Sequence, residues 1–180
     1  MACRFGAVLR WEVEKMLRQL GLVIGAAVFV LSAASASAQM IVDQKNLSSE
    51  AAKIMGETCE ALVLERGWNP ATVWVLDNAG HSLYMHSMQG APWLSIEPSR
   101  LKAQTALQTG RPNSTYVQSA EARGPYAGTN VGILLNNFMA GGGLPVIVDG
   151  QVVGAIGVGG TRTPGGDEEC AQAAIDAIMN

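Results

Sequence analysis

The 180-residue chain carries only two histidines, His81 and His86. Imidazole is the commonest protein ligand for transition metals and the proximal ligand of many haem irons. The two lie five residues apart. On a regular strand that odd offset sends the side chains to opposite faces, so they chelate one ion together only if a bulge intervenes. His81 adjoins the turn Asp77-Asn78-Ala79-Gly80 and reads as the more solvent-exposed of the two. His86 ends the returning strand, beside Met88 and the Gly90 loop, and is the better metal-ligand candidate. For each, an ordinary surface or hydrogen-bonded histidine is the competing reading. Met85, Met88 and Met139 offer soft thioethers, although methionines more often fill gaps in a core. Lys102 is the one cation on a small-residue helix face that it forms with Thr105, Ala106 and Thr109. It suits either the carboxylate of a ligand or a structural ion pair. No Gly-x-Ser-x-Gly elbow, Walker loop or Cys-x-x-Cys pair is present, and no residue is assigned a catalytic role.

The elements that hold these residues are read from periodicity and turn chemistry. Ala51, Met55, Cys59, Leu62 and Val63 have helical spacing, with Asn46 or Ser48 as N-cap and Gly67 as stop, which predicts a helix over about 48–66. Val73–Leu76 and His81–His86 flank the Asp77–Gly80 turn as two strands. Pro98 opens a helix that runs to Thr109 and ends at Gly110. Asn113–Ala122 holds a further helical turn, and Val131–Met139 is apolar but ambiguous between strand and helix. Asp149-Gly150 joins two β-branched runs and predicts a type I′ hairpin across 141–160. Pairing Val148 with Gln151 puts Leu144, Val146, Val148, Val153 and Ala155 on one face, and Ile147, Val152, Ile156 and Val158 on the other. A ribbon apolar on both faces needs cover on each side: helices, a partner subunit or a ligand. Asp167 caps a last helix, with Glu168 and Glu169 favourably placed against its dipole. The order α, hairpin, α, hairpin, α gives an α+β fold: an antiparallel sheet built from hairpins, with helices packed on it. The glycines at 154–160 follow a hairpin rather than open a βαβ unit, so they are no dinucleotide fingerprint.

Residues 1–38 are expected to be a signal peptide. Leu20–Ala34 is an apolar run shorter than a bilayer span, preceded by Lys15 and Arg18 and followed by Ala36-Ser37-Ala38. Cleavage is placed after Ala38, with Ala36 as the near alternative, and Met16 makes a more compact start than Met1. The domain is then 39–180, in the periplasm or secreted, with no membrane attachment after cleavage. It carries three Lys and five Arg against five Asp and eight Glu, a net charge of −5, and shows no basic cluster, which argues against a nucleic-acid partner. Cys59 and Cys170 are an even pair in an exported protein. A disulfide between them and two free buried thiols are equally open.

Four blocks carry a family resemblance: Val75-Leu76-Asp77-Asn78-Ala79-Gly80-His81; Met88-Gln89-Gly90-Ala91 with Ser95 and Ile96; Lys102-Ala103-Gln104-Thr105-Ala106; and Gly142-Gly143-Leu144-Pro145-Val146 through Asp149-Gly150 to Gly154-Ala155-Ile156-Gly157-Val158. On these, the chain from about 48 to 179 resembles the GlcG/HbpS-like family, related to the C-terminal domain of corrinoid adenosyltransferases. The resemblance implies a sandwich-like domain that assembles into homo-oligomers. It also implies a small-molecule ligand, haem or a related tetrapyrrole in some exported members, and metabolic-operon roles in others. The expected ligand pocket joins the Gly90 loop, the Lys102 helix and the Gly141–Gly143 turn. His86 is its candidate iron contact, with His81 as second metal candidate, and Lys102 its candidate propionate contact. Met88, Thr105, Gly142, Gly143, Gly157 and Gly159 complete the expected site. Two departures remove polar groups from the family pattern. Gln89 stands where the family has an acidic residue, and Gly159 where it has a serine.

Overall fold

Asp149 and Gly150 both take positive φ, 49° and 76°, which is what a two-residue type I′ turn requires. The turn closes a hairpin between β3 (Gly143–Val148) and β4 (Gln151–Gly159). A second hairpin joins β1 (Thr72–Asp77) to β2 (Ser82–Ser87). β1 pairs with β4, so the two hairpins form one antiparallel sheet in the order β2-β1-β4-β3. The helices are α1 (Ser49–Glu65), α2 (Ile96–Thr109), α3 (Asn113–Arg123) and α4 (Gly166–Met179). Of the two candidate N-caps of α1, Ser48 is the one used: its hydroxyl accepts from the Ala51 amide at 3.1 Å. Asn113 onward forms a full helix rather than a single turn. These elements come from a computed structural model that describes residues 14–16, 43–123 and 136–179. The chain divides into a unit of residues 1–44 and one of residues 45–180, and all the elements above belong to the second. Most of the expected leader and most of the ambiguous Val131–Met139 run lie outside the described residues. Among the described residues no helix is long and apolar enough to cross a membrane.

Both faces of β4 are covered by the chain's own helices, and its residues from Val153 to Gly159 are buried. A bulge at Val146/Ile147 changes which side chains share a face. Beyond it Leu144 pairs with Ile156 and Val146 with Gly154, so Ile156 and Val158 join Leu144 and Val146 rather than opposing them. Val73 and Val75 of β1 stand opposite Val158 and Ile156 on that same face. It packs against Met55, Cys59 and Val63 of α1 and Cys170, Ala171 and Ala174 of α4 to make the core. The opposite face is covered by α2, which approaches unusually closely. A Cβ on Gly157 would lie 2.0 Å from the Ser99 carbonyl oxygen and 2.5 Å from the Ala103 nitrogen. The described part of the second unit is therefore three-layered, with α2 on one side of the sheet and α1 with α4 on the other. A disulfide, Cys59–Cys170, ties α1 to α4 and settles the open question about these cysteines.

Candidate functional site

His86 sits on β2, the edge strand of the sheet. In register it pairs with Val73, and Tyr84 with Val75, so both side chains belong to the α1 face. α1 brings Glu60 to meet them. His86 Nδ1 lies 2.9 Å from Glu60 Oε1, and the Tyr84 hydroxyl donates to the same oxygen at 2.6 Å. The Glu60–His86 contact is an ion-pair distance without hydrogen-bond geometry, so it does not fix which ring nitrogen holds the proton. The His86 side chain is 53 % exposed. The Glu60 side chain is only 17 % exposed, so water screens the cluster weakly. Burial pushes the Tyr84 phenol above its usual range, helped by its hydrogen bond to Glu60 and the charges of Glu60 and Glu57. Gly56 makes room for the tyrosine, since a Cβ there would fall 2.1 Å from the Tyr84 ring.

Lys102 lies elsewhere. It is buried, and its ammonium donates to Asp167 Oδ2 and to the Val158 carbonyl, each at 2.8 Å. Asp167 sits inside the first turn of α4 rather than at its cap. Its other oxygen accepts from the Thr161 amide and hydroxyl. The ion pair therefore bridges α2 and α4, the two helical layers, where β4 ends. Gly142 folds directly over it: at φ 97° a Cβ would meet Asp167 Cβ at 2.6 Å and the Val158 oxygen at 2.8 Å. Gly143 lies against Asn113, whose side-chain amide donates to the Lys102 and Phe138 carbonyls. Thr105 accepts from the Phe138 amide at 2.9 Å. Among the described residues, the buried Asn113 Oδ1 and Asn137 Oδ1 meet no hydrogen-bond partner.

The structure thus brings Lys102, Thr105, Gly142 and Gly143 together but keeps His86 apart from them. The two groups belong to opposite edges of a four-stranded sheet, on the order of 14 Å apart at the usual strand spacing. Met88 is a core residue whose sulfur accepts from the Ala71 amide at 3.5 Å. Gly90 faces Pro70 in the loop after β2. Gly157 and Gly159 face α2, and a Cβ at 159 would lie 2.8 Å from Ser99 Oγ, so glycine rather than serine suits this position. His81 is exposed and holds Asp77, its Nδ1 being 3.0 Å from the carboxylate. Desolvation works to raise the Asp77 pKa, but hydrogen bonds from His81, Asn46 and the Ala79 amide outweigh it and hold the carboxyl below its usual range. A cleft of about 600 Å³ beside the β1–β2 turn, lined in part by Leu76, Ser82, Arg100 and Gln104, contains none of the expected site residues. Among the described residues no three His, Cys, Asp or Glu side chains converge as a metal cluster. Sequence reasoning missed Glu60, Tyr84, Asp167 and Asn113. Each is an ordinary polar residue until the fold sets it against a partner, and Asp167 lies 65 residues from Lys102.

Residues 47–176 match the family model described as "Haem degrading protein HbpS-like". A Citrobacter freundii relative, an uncharacterized 15.0 kDa protein of the dhaT-dhaS intergenic region, is 33% identical over 128 residues, covering 71% of this chain and 89% of the relative. The crystal structure of a double mutant of Streptomyces reticuli HbpS superposes with a TM-score of 0.68 at 25% identity, over 78% of this chain and 92% of that one. A PduOC:haem complex shares the fold at a TM-score of 0.67 and 22% identity, over 74% of this chain and 96% of that one.

Proposed function

The chain belongs to the HbpS-like family, and from that premise we propose that it is an exported protein that binds haem or a related tetrapyrrole, with His86 as the iron contact. The observation that carries the residue assignment is the Glu60–His86 contact. Metal-binding histidines characteristically give their second ring nitrogen to a carboxylate, which fixes the tautomer and raises ligand basicity. His86 stands against a carboxylate at a half-exposed edge, with its imidazole accessible to iron. The donor chemistry therefore fits a haem iron, which when bound supplies redox and small-ligand chemistry. His81 also contacts a carboxylate, but that carboxylate is engaged in ordering its own turn through the Ala79 and His81 amides. Lys102 has its ammonium neutralised by Asp167, so its role as a propionate contact would require that pair to open. The same neutralisation weighs against an alternative in which the chain is a small-metabolite enzyme with Lys102 as acid or base. Haemin titrated into the protein and followed at the Soret band should give a saturable red shift at micromolar concentration. A spectrum that stays that of free haemin would overturn the proposal.

A further inference from the structure

The cleft of about 600 Å³ beside the β1–β2 turn shares no residue with the His86 site or the Lys102 cluster, and its volume is that of a small-molecule pocket. We propose that it binds a small organic carboxylate with an apolar body, held by Arg100. Its walls come from two layers of the fold. Leu76 of β1 and Leu107 of α2 supply apolar surface. Gly80 keeps the turn clear of the helix, since a Cβ there would meet only Leu107, at 3.9 Å. Ser82, Arg100 and Gln104 supply polar groups, and among the described residues Arg100 is the one charged side chain that lines the cleft. The Trp74 indole donates to Ser82 Oγ at 2.6 Å, which leaves the hydroxyl hydrogen for another acceptor. Arg100 keeps donors to spare. Its Nε and Nη2 donate to Glu97, and its Nη1 donates to Gln104 Oε1 at 2.9 Å. One N–H on each terminal nitrogen remains, a pair that matches the two oxygens of a carboxylate. Gln104 accepts from Arg100 through its oxygen and so presents its amide N–H groups to the same ligand. Glu97 lies outside the lining and its side chain is 61 % exposed, so its pairing with Arg100 contributes little and competes weakly. A cleft whose polar groups are mostly donors, around one guanidinium, selects an anion.

Sodium benzoate, titrated into the full chain and followed by amide NMR, tests this, with benzamide as the uncharged isostere. Benzoate should give saturable shifts gathered at Gly80, Ser82, Gln104 and Leu107, with a Kd of about 1 mM, the range for so small a ligand. Benzamide should bind about tenfold more weakly, for want of the charge-assisted pair. Arg100→Gln should cost benzoate about tenfold in affinity. Glu97→Gln should tighten benzoate binding by about twofold or more, because it removes the competing carboxylate from the guanidinium. A purely structural Arg100–Glu97 contact predicts no such opposition between the two variants. Amide spectra that match the parent away from the cleft establish that each variant is folded. Shifts that do not saturate or that spread over the surface, benzamide binding as tight as benzoate, or weaker benzoate binding in Glu97→Gln would overturn the proposal. Haemin takes no part in these readouts, so their outcome is separate from that of the haem assignment.

Discussion

Lys102 stands out in the sequence as a lone cation on a face of small residues, but its meaning depends on Asp167, which no local pattern connects to it. Removing one member of a buried ion pair strands the other charge in a low-dielectric setting. Lys102→Ala should therefore cost about 3–5 kcal/mol in urea unfolding, and the Lys102→Ala/Asp167→Ala double variant should cost less than the two single losses combined. Full additivity would show that the pair is not coupled. Two titrating groups predict how stability changes with pH. Asp77 has a lowered pKa in the folded state, so the stability it lends is complete above the unfolded carboxyl value, about 4, and is lost as pH falls through the folded value. Tyr84 has a raised pKa, so its contribution is complete below the unfolded phenol value, about 10, and is lost as pH rises further. Tyr84→Phe should flatten the alkaline limb of a stability–pH curve and leave the acid limb unchanged. Glu60 is inconspicuous in the sequence because it is one of four glutamates on α1 and belongs to no motif; only the β2 register sets it beside Tyr84 and His86.

At the scale of elements, the turns were the most legible feature and the bulges the least. Asp149-Gly150 announced its hairpin because few dipeptides tolerate two successive positive φ values. The bulge at Val146/Ile147 has no such signature, so regular pairing of Val148 with Gln151 puts the apolar residues beyond it on the wrong faces. The surplus glycine in β4 leaves room for close approach of another backbone. What approaches Gly157 is the backbone of α2. Gly157→Ala forces a methyl into a carbonyl oxygen and should cost about 3 kcal/mol or more, the upper range for overpacking, read as a lower urea midpoint. A fully stable Gly157→Ala protein would show that α2 and β4 are not packed this tightly.

For the molecule as a whole, the order of hairpins and helices was enough to predict an antiparallel sheet with helices on it. The split into three layers was not, because it depends on which face of the sheet each amphipathic helix takes. The disulfide closes a separation of 111 residues between the first and last helices of the domain. Cys59→Ala/Cys170→Ala should lower stability by about 2–5 kcal/mol, and a reductant should reproduce the loss in the parent but not in the variant. The site was only partly legible. Lys102, Thr105, Gly142 and Gly143 do converge, but around Asp167 and Asn113 rather than around His86. The most direct measurement for the central claim compares haemin binding in His86→Ala and His81→Ala, each followed at the Soret band. The account predicts at least a tenfold loss of affinity in His86→Ala, a typical penalty at a metal ligand or its support, and no change in His81→Ala. Undiminished haemin binding by His86→Ala would contradict it.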